Sequence, residues 1–274
     1  MTSTIKPVLK YPGGKWNIAG WIISHFPPHK HYVEPYFGSG AVFFNKAPTA
    51  HEVVNDLSGD VVNLFRVIRE RGEELAALIE MTPWAREEWA ISKEPTADPV
   101  EQARRFLVQN WQKHGHSYRP NSGTWSRTVT APVDRCRTLV WRQLPDRLAI
   151  LVSRLRDAEI ENQDAAQLIA DHAATDVLIY ADPPYTFDAG RERLYDHEMA
   201  DEDHAALLDV LATHPGPVVL SGYHCALYDD RLAHWTTKEK RVQAEKGRMR
   251  VEVLWLNPIC VERLGYGPMF EVAG

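Results

Sequence analysis

The sequence predicts an α/β fold in which a mostly parallel β-sheet with crossover helices is interrupted by a basic, mainly helical insertion at about 73–157. Three observations predict it. Short apolar runs bounded by turn residues alternate with helical stretches in both end regions, the order of a parallel sheet with crossover helices. That alternation stops near residue 73 and resumes near 158. The interrupting stretch also differs in charge: Arg104 to Arg156 holds eleven Lys or Arg and two Asp, while the remainder holds 20 basic and 35 acidic residues. A basic segment inside a chain of net charge −6 is the footprint of a polyanion-binding module. A solvated helix surface with scattered arginines would give the same count.

The elements follow in order. Residues 31–37, "HYVEPYF", form a first buried strand; "GSG" at 38–40 turns the chain, and a helical stretch runs to about Ala47. "HEVVND" (51–56) is a second strand, with a helix from about Gly59 to Arg71. Residues 73–115 are helical in pieces, and Asp98-Pro99 starts a helix. Residues 116–132, rich in Pro, Asn, Ser and Gly between Tyr, Trp, Thr and Val, suit a β-hairpin or an ordered loop. A long amphipathic helix is expected from about Cys136 to Asp157. "AEIEN" (158–162) is the third strand, followed by a helix over 164–172 with Asp164 as its cap. "DVLIYAD" (176–182) is the fourth strand, and 201–214 is a helix with an acidic first turn. "PVVLSG" (217–222) is the fifth strand, 239–250 a basic hairpin, and 248–258 a late strand.

Composition narrows the class. Apolar content of 44% and charged content of 25% fit an ordinary globular chain. No apolar run approaches the ~20 residues of a membrane span, and the N-terminal residues lack the apolar core of a secretory signal. Cys136, Cys225 and Cys260 match neither a zinc pattern nor an even disulfide set, so a reducing, cytoplasmic compartment is expected. No metal-ligand cluster is visible, and the histidines His114, His116, His197 and His224 are scattered as surface or polar-contact residues.

Two motifs point to a ligand site. In "EPYFGSG" (34–40), two glycines separated by one residue permit a sharp turn and close approach of a ligand at the carboxyl end of the first strand. Asp56 ends the next strand, placed to accept hydrogen bonds from two ribose hydroxyls. No G-x-x-x-x-G-K-[ST] is present, so a nucleoside suits the turn better than a triphosphate. Asp164 either holds the ligand's adenine amine or only caps its helix.

The second motif is Asp182-Pro183-Pro184-Tyr185, at the end of the fourth strand. Proline removes a backbone N–H and holds its neighbour extended. The result is a stiff array of acceptors, the Asp182 carboxylate and the Pro183 carbonyl, suited to a planar amine that must present its lone pair. Tyr185 adds a stacking face. A proline-rich strand exit with a surface tyrosine is the bland alternative.

Taken with "LKYPGGKWNI" (9–18) and "EPYFGSGAVFFN" (34–45), the "DPPY" motif resembles the Dam-type DNA adenine N6-methyltransferases. The resemblance covers essentially the whole chain, with the motifs in the family's order. D/N/S-P-P-Y/F alone also occurs in enzymes that methylate cytosine N4, RNA bases or glutamine. Family members often carry Trp-Ala-Gly-Gly-Lys where this chain has Tyr11-Pro12-Gly13-Gly14-Lys15, so the aromatic ring is kept. The resemblance implies a Rossmann-like, seven-stranded, mostly parallel methyltransferase sheet that uses S-adenosyl-L-methionine, with residues 1–72 and 158–274 catalytic and 73–157 an inserted DNA target-recognition domain. It further implies that Tyr11 and Lys15 line the cofactor pocket with Glu34, Phe37, Gly38, Ser39 and Gly40. By the same likeness Asp56 holds the ribose, Asp164 the cofactor adenine, Asp182 the target amine, and Tyr185 stacks on a flipped adenine. Lys10 matches a family position that approaches DNA, and Ser221-Gly222-Tyr223 helps form the target-base site.

DNA-facing residues elsewhere are assigned from side-chain chemistry. Arg119 and Arg127 suit guanine edges in the major groove, with Tyr118 and Asn121 beside them. Arg135 and Arg137 suit phosphates. Trp125 either wedges into the base stack or packs on its own domain. The expected partner is double-stranded DNA, with neither membrane nor metal, and nothing in the pattern requires more than one copy of the chain. Restriction-modification is one expected setting. The competing readings are a catalytically silent DNA-binding protein of the same fold and an RNA adenine or cytosine N4 methyltransferase.

Overall fold

The computed structural model describes residues 5–11, 13–114, 123–126, 137–184, 199–243 and 249–265. Its centre is a seven-stranded sheet. Strands β1 (His31–Glu34), β2 (His51–Asn55), β5 (Ala158–Glu161), β6 (Val177–Ala181) and β7 (Val218–Gly222) run parallel. β8 (Thr236–Gln243) and β9 (Met249–Leu256) form the expected hairpin, with β9 antiparallel to both β7 and β8. The order across the sheet is β5-β2-β1-β6-β7-β9-β8. Order therefore reverses between β1 and β6, and in doubly wound sheets the crevice outside the strand ends at such a switch point takes the ligand.

Strand periodicity divides the interior into two apolar layers. Tyr32, Val54, Leu178, Tyr180, Val219 and Leu254 face one layer, which contains helices α1 (Ala19–Ile23), α2 (Gly59–Met81), α4 (Pro99–Gln112) and α6 (Leu144–Leu155). Val33, Val53, Ile179, Val218, Leu220 and Val253 face the other, against α7 (Ala165–Asp171), α8 (Asp201–Thr213) and α9 (Ala226–Arg231). All five residues of β6 and of β7 are buried, as expected of central parallel strands covered on both faces.

Local chemistry sets several boundaries. The Asp98 side chain caps α4 by accepting from Val100 N–H (2.9 Å), and Pro99 occupies the first turn, where its missing donor costs nothing. Asp164 caps α7 by accepting from Ala166 and Gln167 N–H. Two expectations are corrected, after Gly40 and over 136–157. After Gly40 the chain makes consecutive turns over 41–46, not a regular helix. As expected, the helix from Gly59 breaks at Arg71, whose backbone is non-helical (φ −135°, ψ 34°), and a second helical piece runs on to Met81 with Leu75 and Ile79 buried in the same apolar layer; the two together are α2. The single helix expected over 136–157 is two, α5 (Arg137–Arg142) and α6, which part at Gln143 because Pro145 has no N–H to donate to the Trp141 carbonyl and its ring crowds it. Of the hairpin or ordered loop expected over 116–132, the described residues 123–126 include β4 (Thr124–Trp125), paired antiparallel with β3 (Lys113–His114); 115–122 and 127–136 lie outside the described residues. A short helix α3 (Arg86–Ile91) precedes α4, and α10 (Pro258–Arg263) follows β9.

A buried ionic cluster ties the turns after Gly40 to the sheet. Glu52, 2% exposed, pairs with both Lys46 and Arg154, and Arg154 Nη2 also donates to Phe43 O (3.3 Å). The N-terminal segment is clamped similarly: Asn110 Oδ1 accepts from Lys10 N–H (2.9 Å), Asn110 Nδ2 donates to Lys10 O (2.7 Å), and Trp111 Nε1 donates to Val8 O (2.7 Å). Among the described residues no helix is long and apolar enough to cross a membrane.

Candidate active site

The carboxyl ends of β1, β2, β5 and β6 open into one cavity of about 550 Å³, within the range of small-molecule sites. Its lining includes Phe37, Gly38 and Ser39 after β1, Asp56 after β2, Asp164 after β5, and Asp182, Pro183 and Pro184 after β6. Tyr11 and Lys15 close it from the N-terminal segment, and Glu34 forms part of its floor.

The glycine turn is built by strand-end hydrogen bonds. Phe37 N–H donates to Asn55 O (2.8 Å), Gly40 N–H to Phe37 O (2.8 Å), and Gly38 N–H to Asp56 Oδ2 (2.8 Å). Gly38 has φ +51°, and a Cβ there would lie 2.8 Å from Tyr11 Cδ1; the absent side chain lets the Tyr11 ring lie against the backbone at the cavity wall. Gly40, at φ +68°, sits behind that wall, where a Cβ would meet Phe44 at 2.5 Å and Phe37 at 2.7 Å. Its place is therefore under the turn and not on the cavity surface. Ser39 Oγ accepts from Trp16 Nε1 (2.9 Å).

Asp56 is 8% exposed and accepts two backbone donors, Gly38 N–H and Ser58 N–H (2.9 Å). Its carboxylate lies on the cavity lining, where it can act as an acceptor for a ligand hydroxyl. Asn55, which sequence reasoning passed over, joins three strand ends: its side chain donates to Pro35 O (2.9 Å) and Gln163 O (3.1 Å) and accepts from Gln163 N–H (2.9 Å). Its signal was its position beside Asp56. Asp164 both caps α7 and lines the cavity, so the two readings of it are compatible.

Lys15, 3% exposed, places its ammonium 2.9 Å from Asp182 Oδ1, and its Nζ also donates to Gly13 O (3.0 Å). Burial alone would favour the neutral amine, but the Asp182 and Glu252 carboxylates hold the ammonium well above the usual lysine range. Glu34 behaves oppositely. Burial, reinforced by the nearby Asp182, pushes its carboxyl up to about 8, against the hydrogen bond from Tyr32 O–H (2.6 Å to Oε2). The floor acid is thus largely protonated at neutral pH, while Asp182 faces a cation.

The insertion contributes the remaining wall, including Lys93, Gln102, Arg105, Asn110 and Lys113. Lys10 lies over the Trp111 ring, 4.2 Å from its centroid; burial together with the Arg137 and Lys113 charges pushes its ammonium down to about 7. Arg137 Nη1 donates to Ser126 Oγ (2.6 Å) and Lys113 O (3.2 Å), bridging the two strands of the ribbon. Lys113, which the sequence reading did not single out, is pushed down to about 8 by burial. Trp125 is half-buried beneath the Arg86 guanidinium, 5.0 Å from its ring centroid. Tyr185, Tyr118, Arg119, Asn121, Arg127 and Arg135 lie outside the described residues. Exposed His224 pairs with Asp229 (2.7 Å) and Glu239 (3.2 Å). Among the described residues no group of three or more His, Cys, Asp or Glu is placed to hold a metal.

Comparison with known proteins agrees with the motifs. Residues 11–246 match the family model described as D12 class N6 adenine-specific DNA methyltransferase. The chain is 33% identical over 76 residues to a Type II methyltransferase, M1.LlaDCHI, of Lactococcus lactis subsp. cremoris. It is 30% identical over 73 residues to the DNA N-6-adenine-methyltransferase of Escherichia phage P1, and 32% identical over 66 residues to the DNA adenine methylase of Serratia marcescens. These stretches cover 27%, 27% and 24% of this chain, and 26%, 10% and 24% of the relatives. Among solved structures, the rRNA methyltransferase aviRa of Streptomyces viridochromogenes aligns at a TM-score of 0.38 and 15% identity, over 95% of this chain and 92% of that one.

Proposed function

The chain belongs to the D12 class N6 adenine-specific DNA methyltransferase family, and from that premise we propose that it is a site-specific adenine N6-methyltransferase acting on double-stranded DNA with S-adenosyl-L-methionine. The observation that carries this reading is the meeting of Asp182-Pro183-Pro184 and the Gly38 turn in one cavity across the switch point, with Lys15 held against Asp182.

Residues and cavity fit the cofactor. Asp56 lines the cavity as a carboxylate acceptor for a ribose, Asp164 lies along the same wall for an adenine amine, and Gly38 leaves room beside Tyr11. When bound, S-adenosylmethionine supplies a methyl group on a positively charged sulfonium sulfur. The chain's own work is positioning and electrostatics. Asp182 and the Pro183 carbonyl accept from the two N–H groups of the target amine, which favours a tetrahedral nitrogen whose lone pair points at the methyl carbon. Pro184 stiffens that acceptor pair. An adenine inside a duplex must be extruded to reach the cavity, at a cost of a few kcal/mol. Stacking on Tyr185 recovers roughly 1–3 kcal/mol of that cost. Segment 73–157 is the target-recognition part, with Arg119 and Arg127 reading bases and Arg135 gripping phosphate. Lys10 and Arg137, both anchored inside the fold, lend positive charge near the cavity more than free reach.

Transfer of labelled methyl groups to duplex DNA, with the modified adenines mapped, tests the reading. Asp182→Ala should lower kcat by about 10²–10³-fold, the scale of losing one positioned polar group, with a much smaller change in cofactor affinity. Equal loss of both would show that Asp182 serves the cofactor alone. Label appearing on RNA or on cytosine N4 would transfer the reading to those substrates. Duplex binding without any transfer would favour a silent DNA-binding protein.

A further inference from the structure

Glu252 belongs to none of the motifs, yet it reaches the site. The Lys15 ammonium lies between two carboxylates, 2.9 Å from Asp182 Oδ1 and 3.7 Å from Glu252 Oε2. Glu252 is itself 5% exposed, and its Oε1 accepts the Tyr223 O–H at 2.7 Å. Strand pairing explains the meeting. β9 runs antiparallel to β7 with Gly222 opposite Val253, so Glu252 falls beside the residue that leaves the carboxyl end of β7. One buried carboxylate thus holds a cation from the N-terminal segment and a hydroxyl from the strand next to β6.

We propose that Glu252 is a positioning residue for methyl transfer: it shares the Lys15 ammonium with Asp182 and fixes the Tyr223 ring at the rim of the target-base site. This rests on the methyltransferase reading and deepens it. An ammonium shared by two anions draws less acceptor strength from Asp182 than one paired with Asp182 alone. It is also held from two sides, which fixes where it meets Asp182. Were Glu252 neutral, the whole Lys15 charge would fall on Asp182 and its carboxylate would become a poorer acceptor.

Glu252→Gln keeps the shape and an acceptor for Tyr223 while removing the charge. By analogy with charged partners that orient metal ligands, kcat should fall about 10- to 100-fold with cofactor affinity changed less than about 3-fold. The acid limb of the kcat profile should move to lower pH, because Asp182 then faces an undivided cation. Lys15→Met with Glu252→Gln should lose no more than Lys15→Met alone. Wild-type kinetics in Glu252→Gln, or parallel losses of kcat, cofactor affinity and melting temperature, would overturn the proposal. A measurement free of turnover separates it from the parent reading: in full-length protein carrying ¹³Cε-lysine, Glu252→Gln should shift the Lys15 ¹³Cε resonance at neutral pH, where the ammonium stays protonated. An unmoved Lys15 overturns the proposal whatever the activity. A moved Lys15 in a wild-type protein that transfers no methyl group would sink the methyltransferase reading and leave the Glu252–Lys15 coupling standing.

Discussion

Glu34→Gln isolates the energetic burden of the cavity floor. In the folded chain burial pushes the Glu34 carboxyl up to about 8, whereas in the unfolded chain it returns to the ordinary range near 4.5. The folded state therefore binds the proton more tightly. Between these limits folding takes up a proton, so the contribution of Glu34 to stability is greatest below pH ~4.5 and falls as pH rises, by at most about 1.4 kcal/mol per pH unit. From pH 5 to pH 8 the loss integrates to roughly 3 kcal/mol. Glutamine has nearly the same volume, keeps an acceptor for Tyr32 O–H, and does not titrate. The variant should thus match the wild type near pH 5 and exceed it at pH 8 by roughly 3 kcal/mol, a melting difference of roughly 5–10 °C for a chain of this size. Urea and thermal unfolding of both proteins, cofactor-free, at several pH values from 5 to 8 gives the difference directly, and subtraction cancels the other titrating groups. A difference flat in pH would mean that Glu34 is ionised in the folded state, and the electrostatic picture of the floor would be wrong.

The two glycines of the turn should separate stability from binding. Gly40→Ala places a Cβ 2.5 Å from Phe44 at a positive φ and should cost roughly 2–4 kcal/mol, read as a lowered urea midpoint, with the folded fraction binding cofactor nearly as before. Gly38→Ala drives into the Tyr11 ring and should weaken cofactor binding, measured calorimetrically, more than it lowers the midpoint; unchanged affinity would remove Tyr11 from the ligand wall. Arg154→Met leaves buried Glu52 with Lys46 as its remaining ionic partner and should cost about 3 kcal/mol in denaturant unfolding, with much of that recovered when Glu52→Gln is added. A loss below about 1 kcal/mol would mean that solvent already screens the pair.

Those parts of the fold set by local chemistry were legible in the sequence. Strand ends marked by Gly222 and Pro183, and caps at Asp98 and Asp164, need only nearest neighbours to be recognised, whereas the first strand stops at Glu34, short of the expected Phe37. Gly38, Asp56 and Asp182 follow adjacent parallel strands and line one cavity, as expected of strands that deliver their carboxyl ends to one edge. What failed depended on distant packing. The helix expected over 136–157 breaks because Pro145 outweighs an apolar period that otherwise runs through it. Glu252 was missed because its role exists only once β9 has paired with β7, far from any motif in the chain. Arg137 was expected to face phosphates because an arginine in a basic window looks free until its acceptors, Ser126 and the Lys113 carbonyl, are known.

The kinked α2 has a practical bearing on swapping specificity between relatives. Leu75, Ile79, Val100, Leu107, Leu144 and Leu151 belong to the same apolar layer as Tyr32 and Leu178 of the sheet. A chimera cut at 72 and 158 would strip the sheet of its covering on one face and yield an insoluble product. Residues that cover the sheet in this way have to travel with it, so a cut through α2, α4 or α6 costs the host its own interior.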